Sequence, residues 1–250
     1  MSLRSKLAQI PAYWTARRRA VLRSDRPFVS ITFDDYPRTA LEVGGRLLEA
    51  EGIAATYYVA FGLAGTMTSS GPVGAAEELA ACVKGGHEIG CHTHDHIACA
   101  TVSARDVGAN LSHNRSVAQA LGLPALTHFA YPFGQFSAAA KSAAMKSYAS
   151  ARTTKWGVNR GDIDLGLLKS VPLYSHLGRG ALEPYFVDIE RNGGWLILYT
   201  HDVAVYPSVY GCTPDDLAYA VGRARQAGAN PLTVGGVVQN MEPMSASDAS

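Results

Sequence analysis

No stretch of this chain approaches the run of about 20 apolar residues that crosses a bilayer as a helix. A secretory signal is missing as well, because the basic residues near the start lead into neither an apolar run nor a small-residue cleavage site. Cysteine is scarce, and Cys82, Cys91, Cys99 and Cys212 form no C-x-x-C pair. This argues against a disulfide-stapled small scaffold and for free thiols in a reducing compartment, so the cytoplasm is the expected location. Internal repeats and linker-like stretches are absent, which makes one domain the default. A strong overall charge is lacking too, the net being +1, and no nucleic-acid partner is expected.

That near-neutrality hides an asymmetry. Residues 1–24 hold Arg4, Lys6, Arg17, Arg18, Arg19 and Arg23 and no acid, leaving 16 cations against 21 acids in the remainder. The stretch YWTARRRAVLR is expected to be a solvated helical face on a basic arm, residues 1–26, with peripheral contact to an anionic membrane as the sharper alternative. At 250 residues and 47% hydrophobic content, the body can bury a large core as a single unit. The domain is expected over 27–238, and the small, polar tail 239–250 is expected to be disordered.

Short β-rich runs alternate with Ala-rich, helix-compatible stretches. The runs are FVSITF (28–33), AATYYVA (54–60), HEIGC (87–91), LTHFAY (126–131), YASART (148–153), KSVPLY (169–174), WLILYT (195–200) and NPLTV (230–234). Helices are expected at about 38–51, 74–84, 103–121, 137–147, 181–192 and 213–228. Strand then helix, repeated, implies an α/β fold with a parallel sheet covered by helices. Seven or eight such units can close into a barrel whose site lies at the C-terminal strand ends.

The polar residues cluster at those ends. Asp34 and Asp35 follow the first run, His92, His94 and His96 the third, YPFG (131–134) the fourth, and His201 with Asp202 the seventh. Two adjacent, partly desolvated carboxylates raise one pKa or demand a cation. If 92–96 continued as strand, three imidazoles would share a face; if a helical turn begins near Cys91, only His92 and His96 converge. Asp35 with two histidines makes a facial oxygen–nitrogen set with open positions, the pattern of a catalytic metal site, which favours His92 and His96. The second aspartate is then free to act as a base. Taken singly, these patterns are common on ordinary surfaces; their coincidence at strand ends carries the reading.

ITFDDYP (31–37), GHEIGCHTHDH (86–96), FAYPFG (129–134), ARTTKWGVN (151–159) and WLILYTHD (195–202) resemble the ordered motifs of the NodB homology, or polysaccharide deacetylase, family, the metal-dependent carbohydrate esterases of family 4. The resemblance spans about residues 27–236. It implies a distorted (β/α)7 barrel of NodB homology type that removes acetyl groups from N-acetylated carbohydrate. It further implies Asp34 as general base, Asp35, His92 and His96 as ligands of zinc or a similar divalent ion, the Phe133 backbone N–H at the oxyanion, and His201 as general acid.

Amide hydrolysis needs these groups: an activated water, donors around the tetrahedral oxyanion, and an acid for the departing amine. His94 is expected outside the ligand set, and Asp95 is expected to orient an imidazole or cap the next helix. Tyr131, Trp156 and Tyr199 are candidates for substrate contact, with Trp156 preferred. Three positions depart from the family pattern: Tyr36 stands for glycine, Tyr199 for leucine, and Ala130 for an arginine that orients the base. Arg152, at the end of YASART, is expected to take over that role through a planar fork to Asp34. Competing readings are hydrolysis of a small amide or imide on the same barrel, and an inactive glycan-binding module.

Overall fold

A computed structural model describes residues 9–244 of the chain. Its strands are β1 (Arg19–Leu22), β2 (Phe28–Asp34), β3 (Thr56–Val59), β4 (Met67–Thr68), β5 (Gly71–Pro72), β6 (Glu88–Cys91), β7 (His128–Ala130), β8 (Ser150–Arg152), β9 (Asp162–Asp164), β10 (Val171–Pro172), β11 (Trp195–Thr200), β12 (Asn230–Pro231) and β13 (Met241–Pro243). Seven of them form a parallel sheet in the order β10-β11-β2-β3-β6-β7-β8, with β12 beside the first half of β2. The sheet curls until Arg152 bridges Leu168, just ahead of β10. Leu168 N–H donates to Ala151 O at 2.9 Å and Thr153 N–H to Leu168 O at 2.8 Å. The result is a distorted (β/α)7 barrel.

Strands β2 and β11 are buried along their whole length, because a parallel strand is covered on both faces, which is why FVSITF and WLILYT read as near-continuous apolar runs. These two pair over six residues, from Trp195 opposite Phe28 to Thr200 opposite Phe33. That register sets the next residues, Asp34 and His201, at one height. The helix expected over 38–51 runs as a wide π turn, Ala40–Gly45, into an α segment, Arg46–Ala50. It packs close: a Cβ on Gly44 would lie 2.9 Å from Val203 Cγ2. The helix Ala104–Ala120 is capped by Ser103, whose Oγ accepts from Asp106 N–H at 3.1 Å. From it, buried Asn114 reaches across the sheet, accepting from Phe61 N–H at 3.0 Å and donating to Val59 O at 2.9 Å. An apolar replacement would strand both backbone groups, at about 1–3 kcal/mol each.

Both ends of the domain differ from expectation. YWTARRRAVLR is no solvated helix: Arg19–Leu22 is the middle strand of a three-stranded antiparallel sheet, β13-β1-β9. Arg17 and Arg19 pair with Asp162, while Arg18 donates to Tyr148 O at 2.6 Å and Met145 O at 2.8 Å. Lys141, with no exposed surface, donates to Ala12 O at 2.8 Å and to Asp164 at 2.5 Å. The arginines are therefore used in fastening residues 9–24 to the body. Of the tail 239–250 expected to be disordered, Gln239 and Asn240 close the helix Val234–Val238, residues 241–243 are strand β13 and Met244 N–H donates to Arg19 O; residues 245–250, and Arg4 and Lys6 at the other end, lie outside the described residues. The physical reason is alike at both ends: the partners are remote in sequence, Asp162 for Arg17 and Arg19 and strand β1 for β13, with Leu22 opposite Met241, and leave no local signal.

Candidate active site

The chain leaves β2 through two consecutive left-handed residues, Asp35 (φ 63°) and Tyr36 (φ 59°). Neighbouring aspartates therefore diverge, Asp34 toward the barrel interior and Asp35 toward the end of β6. The turn also shows why glycine suits position 36, since a side chain there costs on the order of 1–3 kcal/mol. In this chain Tyr36 is held by packing: its ring meets Tyr57 edge-on at 6.0 Å and lies so near Gly74 that a Cβ on that glycine would fall 2.2 Å from it.

After β6 the backbone turns again, with Thr93 (φ 58°) and His96 (φ 51°) left-handed, so the strand does end at Cys91. Asp35 Oδ1 lies 3.2 Å from His96 Nε2 and 3.6 Å from His92 Nε2. One ligand atom from each of the three lies within 4.8 Å of the others. His92 Nδ1 sits 2.8 Å from Ala130 O; its N–H donates there, which leaves the Nε2 lone pair facing Asp35. Burial drives His92 down to about 3 and lowers His96 as well, so both rings are neutral donors at pH 7. Burial raises Asp35 to about 6, and its Oδ1 has no hydrogen-bond partner. An orphaned buried carboxylate oxygen facing two imidazole lone pairs fits a divalent cation.

His94 turns away and stacks on His113 at 3.8 Å. Asp95 neither orients a ligand nor caps the helix; its Oδ2 accepts from Asn110 Nδ2 at 2.6 Å, and Asn110 Oδ1 in turn accepts from the N–H groups of His94 and Asp95. His96→Ala is expected to weaken divalent-ion binding by more than the roughly 10–100-fold that loss of a supporting group costs, and His94→Ala to leave it unchanged. Calorimetric titration of metal into each variant checks this; equal loss in both would refute the two-histidine set.

Arg152 meets Asp34, although not through a fork. A single nitrogen, Nη2, lies 2.5 and 2.6 Å from the two carboxylate oxygens. The rest of the guanidinium is held elsewhere: Nη1 is 3.4 Å from both Thr153 O and Ser170 Oγ, and its carbon sits 5.2 Å and 4.9 Å from the Tyr58 and Tyr199 ring centroids. Ala130 and Arg152 are register partners on β7 and β8, so the cation stands beside the alanine on the neighbouring strand. Tyr199, the second departure, is one wall of its slot. Burial pushes the Asp34 carboxyl upward, and Arg152, His92 and His201 together outweigh it, holding the group below its ordinary value.

His201 faces this pair from β11, its Nε2 3.8 Å from Asp35 Oδ2 and its Nδ1 3.2 Å from Tyr210 O. Asp202 is buried and accepts from Ser208 N–H at 2.8 Å and Ser208 Oγ at 2.5 Å, fixing the loop that returns Tyr210. The two aspartates and the histidines at 92, 96 and 201 line one cavity of about 540 Å³, together with Phe133, Tyr199, Tyr174 and Tyr210. Phe133 is left-handed (φ 58°), with its ring 4.5 Å from that of His96.

Two expected substrate contacts are not brought here. Tyr131 is fully buried, donating its hydroxyl to Gly166 O at 3.2 Å; the alternation along FAYPF points it into the core. Trp156 is half exposed against Tyr185 and does not line the cavity, because the loop after β8 carries it outward. The sequence reading missed Tyr174, although it ends KSVPLY and so sits where every other site residue sits. Tyr210, nine positions beyond His201, had no such signal.

Residues 22–149 match the family described as polysaccharide deacetylase. The fold resembles that of T48 deacetylase solved with substrate (19% identity, 87% of this chain and 94% of that one, TM-score 0.60). It also resembles a family 4 carbohydrate esterase from Streptomyces lividans solved with acetate (17% identity, 80% and 87%, TM-score 0.52). A family 4 pseudoenzyme from Bacillus anthracis is similar too (13% identity, 86% and 66%, TM-score 0.59). No curated protein sequence matches the chain.

Proposed function

The chain belongs to the polysaccharide deacetylase family, and from that premise we propose that it is a metal-dependent hydrolase removing N-acetyl groups from an N-acetylated glycan or glycan precursor. The observation that carries the reading is the convergence of Asp35, His92 and His96 beside a separately held Asp34, with His201 across the cavity. A divalent ion, zinc by the chemistry of one carboxylate and two imidazoles, would be held by those three and would supply a Lewis acid for the acetyl carbonyl and the attacking water.

Asp34, ionised through the neutral range, takes the proton of the attacking water. Arg152 keeps its carboxylate from swinging toward the histidines. His201 gives a proton to the departing amine from Nε2, since its Nδ1 is turned to Tyr210 O. The Phe133 N–H, on a left-handed turn at the cavity wall, is the chain's donor for the oxyanion. An inactive module on this fold, as in the Bacillus anthracis relative, has no need of both Asp34 and His201, and their retention favours catalysis.

Acetate release from a panel of N-acetylated oligosaccharides and sugar nucleotides, before and after chelation, tests the proposal. Release that falls to background on metal removal and returns with a divalent ion is expected. Release that persists without metal would sink the metal-hydrolase reading, and release only from small amides would favour the alternative substrate class.

A further inference from the structure

His201 meets a main-chain carbonyl at its Nδ1, that of Tyr210, 3.2 Å away. A carbonyl oxygen can only accept, so Nδ1 carries the proton and Nε2 is the nitrogen left to exchange one with the cavity. The same oxygen accepts from His201 N–H at 3.1 Å and from Thr200 Oγ1 at 3.4 Å. The direction and tautomer of the imidazole therefore depend on where the loop after β11 sets one peptide group.

The buried carboxylate of Asp202, the very next residue, reaches that peptide through Ser208. Asp202 Oδ2 accepts from Ser208 N–H at 2.8 Å and Oδ1 from Ser208 Oγ at 2.5 Å, and Ser208 Oγ in turn accepts from Tyr210 N–H at 3.1 Å. The hydroxyl thus donates to the charge and accepts from the residue whose carbonyl holds His201. Gly211 allows the loop to be drawn this close, since a Cβ there would fall 2.3 Å from Asp202 Oδ1. Closing the loop is already served by the main chain: Cys212 N–H donates to Asp202 O at 3.0 Å, Ala204 N–H to Cys212 O at 3.1 Å and Ser175 N–H to Gly211 O at 3.1 Å. A buried carboxylate is costly unless donors meet it, and the donors met here lead to the one peptide group on which His201 rests.

We propose that Asp202 and Ser208 are positioning residues for His201, fixing through the Tyr210 peptide the tautomer and the direction from which Nε2 delivers its proton to the amine nitrogen as the bond to the acetyl carbon breaks. The proton-delivery half of the statement rests on the deacetylase reading, and the tautomer half does not.

The test has two arms on the full chain. Nitrogen-15 magnetic resonance in alkaline buffer, where imidazoles are neutral, reports which ring nitrogen carries the proton, with His201 assigned by its loss in His201→Gln. A single Nδ1–H tautomer is expected in the wild type and a mixture in Ser208→Ala and Asp202→Asn. Tyr206→Ser, on the same loop and 94% exposed, should match the wild type. In the second arm, kcat is compared on an N-acetylated oligosaccharide, whose amine must be protonated to leave, and on an aryl acetate whose nitrophenolate leaves without a proton. Ser208→Ala is expected to lose at least about tenfold more on the first than on the second, with little change in either KM. An unshifted tautomer in both variants, or the same shift in Tyr206→Ser, would overturn the proposal, and equal losses of kcat on the two substrates would overturn its proton-delivery half. A shifted tautomer in a protein whose wild type releases acetate from no substrate would overturn the hydrolase reading and leave the positioning of His201 standing.

Discussion

Asp34→Asn is expected to keep its divalent ion and to lose about 10²–10⁴-fold in kcat, the range in which positioned proton transfer contributes. Asp34 is held by Arg152 at the end of β2, whereas the candidate metal set is Asp35, His92 and His96, so the substitution removes the base and spares the ligands. Asparagine still offers Nη2 an acceptor oxygen, which limits the damage to the buried pair. Metal content by mass spectrometry, read beside kcat and KM on one soluble substrate, separates the roles. A variant that loses its ion would mean the two aspartates have been exchanged in this assignment; one that keeps wild-type kcat would remove Asp34 as the base.

Arg152→Met should be the most disruptive single change at the site. It leaves Asp34 in the interior without the cation that touches it, and breaking a buried pair in this way costs about 3–5 kcal/mol of stability. The direction with pH follows from Asp34, whose carboxyl is held below its ordinary value in the folded chain. Such a group contributes stability above the unfolded carboxylate pKa of about 3.9, lost as pH falls through the folded value. Without Arg152, burial dominates and the Asp34 pKa rises, so the acidic limb of kcat against pH moves upward and the acid stability gained from the pair disappears.

Arg152→Lys should be milder than a broken fork would predict, because the observed contact uses one nitrogen, but it forfeits Thr153, Ser170 and part of the stacking on Tyr58 and Tyr199. Because a structural role alone would lower the melting temperature without moving the pH limb, an unmoved limb in a folded Arg152→Lys or Arg152→Met enzyme would refute the positioning role. A further check is to return the arginine to the neighbouring strand, combining Ala130→Arg with Arg152→Ala. The two positions are register partners, so partial recovery of the limb is expected.

Much of the barrel was legible because of how a covered parallel sheet is made. Its strands are apolar on both faces, so FVSITF and WLILYT stand out as uninterrupted runs, and the polar residues that interrupt them, Asp34–Asp35 and His201–Asp202, mark the strand ends where a site can form. Helix starts were readable for an equally local reason: Ser103 and Thr213 cap the N–H groups of Asp106 and Asp216 three residues on. What the sequence determined by itself was therefore the succession of strands and helices and the set of residues at one end of the barrel.

Tertiary structure decided everything that depends on which strands become neighbours and how the chain turns off them. Ala130 and Arg152 are 22 positions apart in sequence yet adjacent in register, so an arginine lost from one strand could be supplied from the next. Left-handed turns at Asp35, Tyr36, Thr93 and His96, rather than strand alternation, sent Asp35 to His92 and His96 and sent His94 away. Tyr131 and Tyr174 both close apolar runs, and only the path of the following loop made the first a core residue and the second a cavity wall. Strands β1, β9 and β13 are three or four residues' worth of weak local preference, held by their pairing with one another and by Arg17 and Arg19 on a distant Asp162. Hydrophobic period and cap chemistry act over a few residues and can be read from them, whereas register, side-chain direction after a turn, and ion pairs across 140 positions exist only once the barrel has closed.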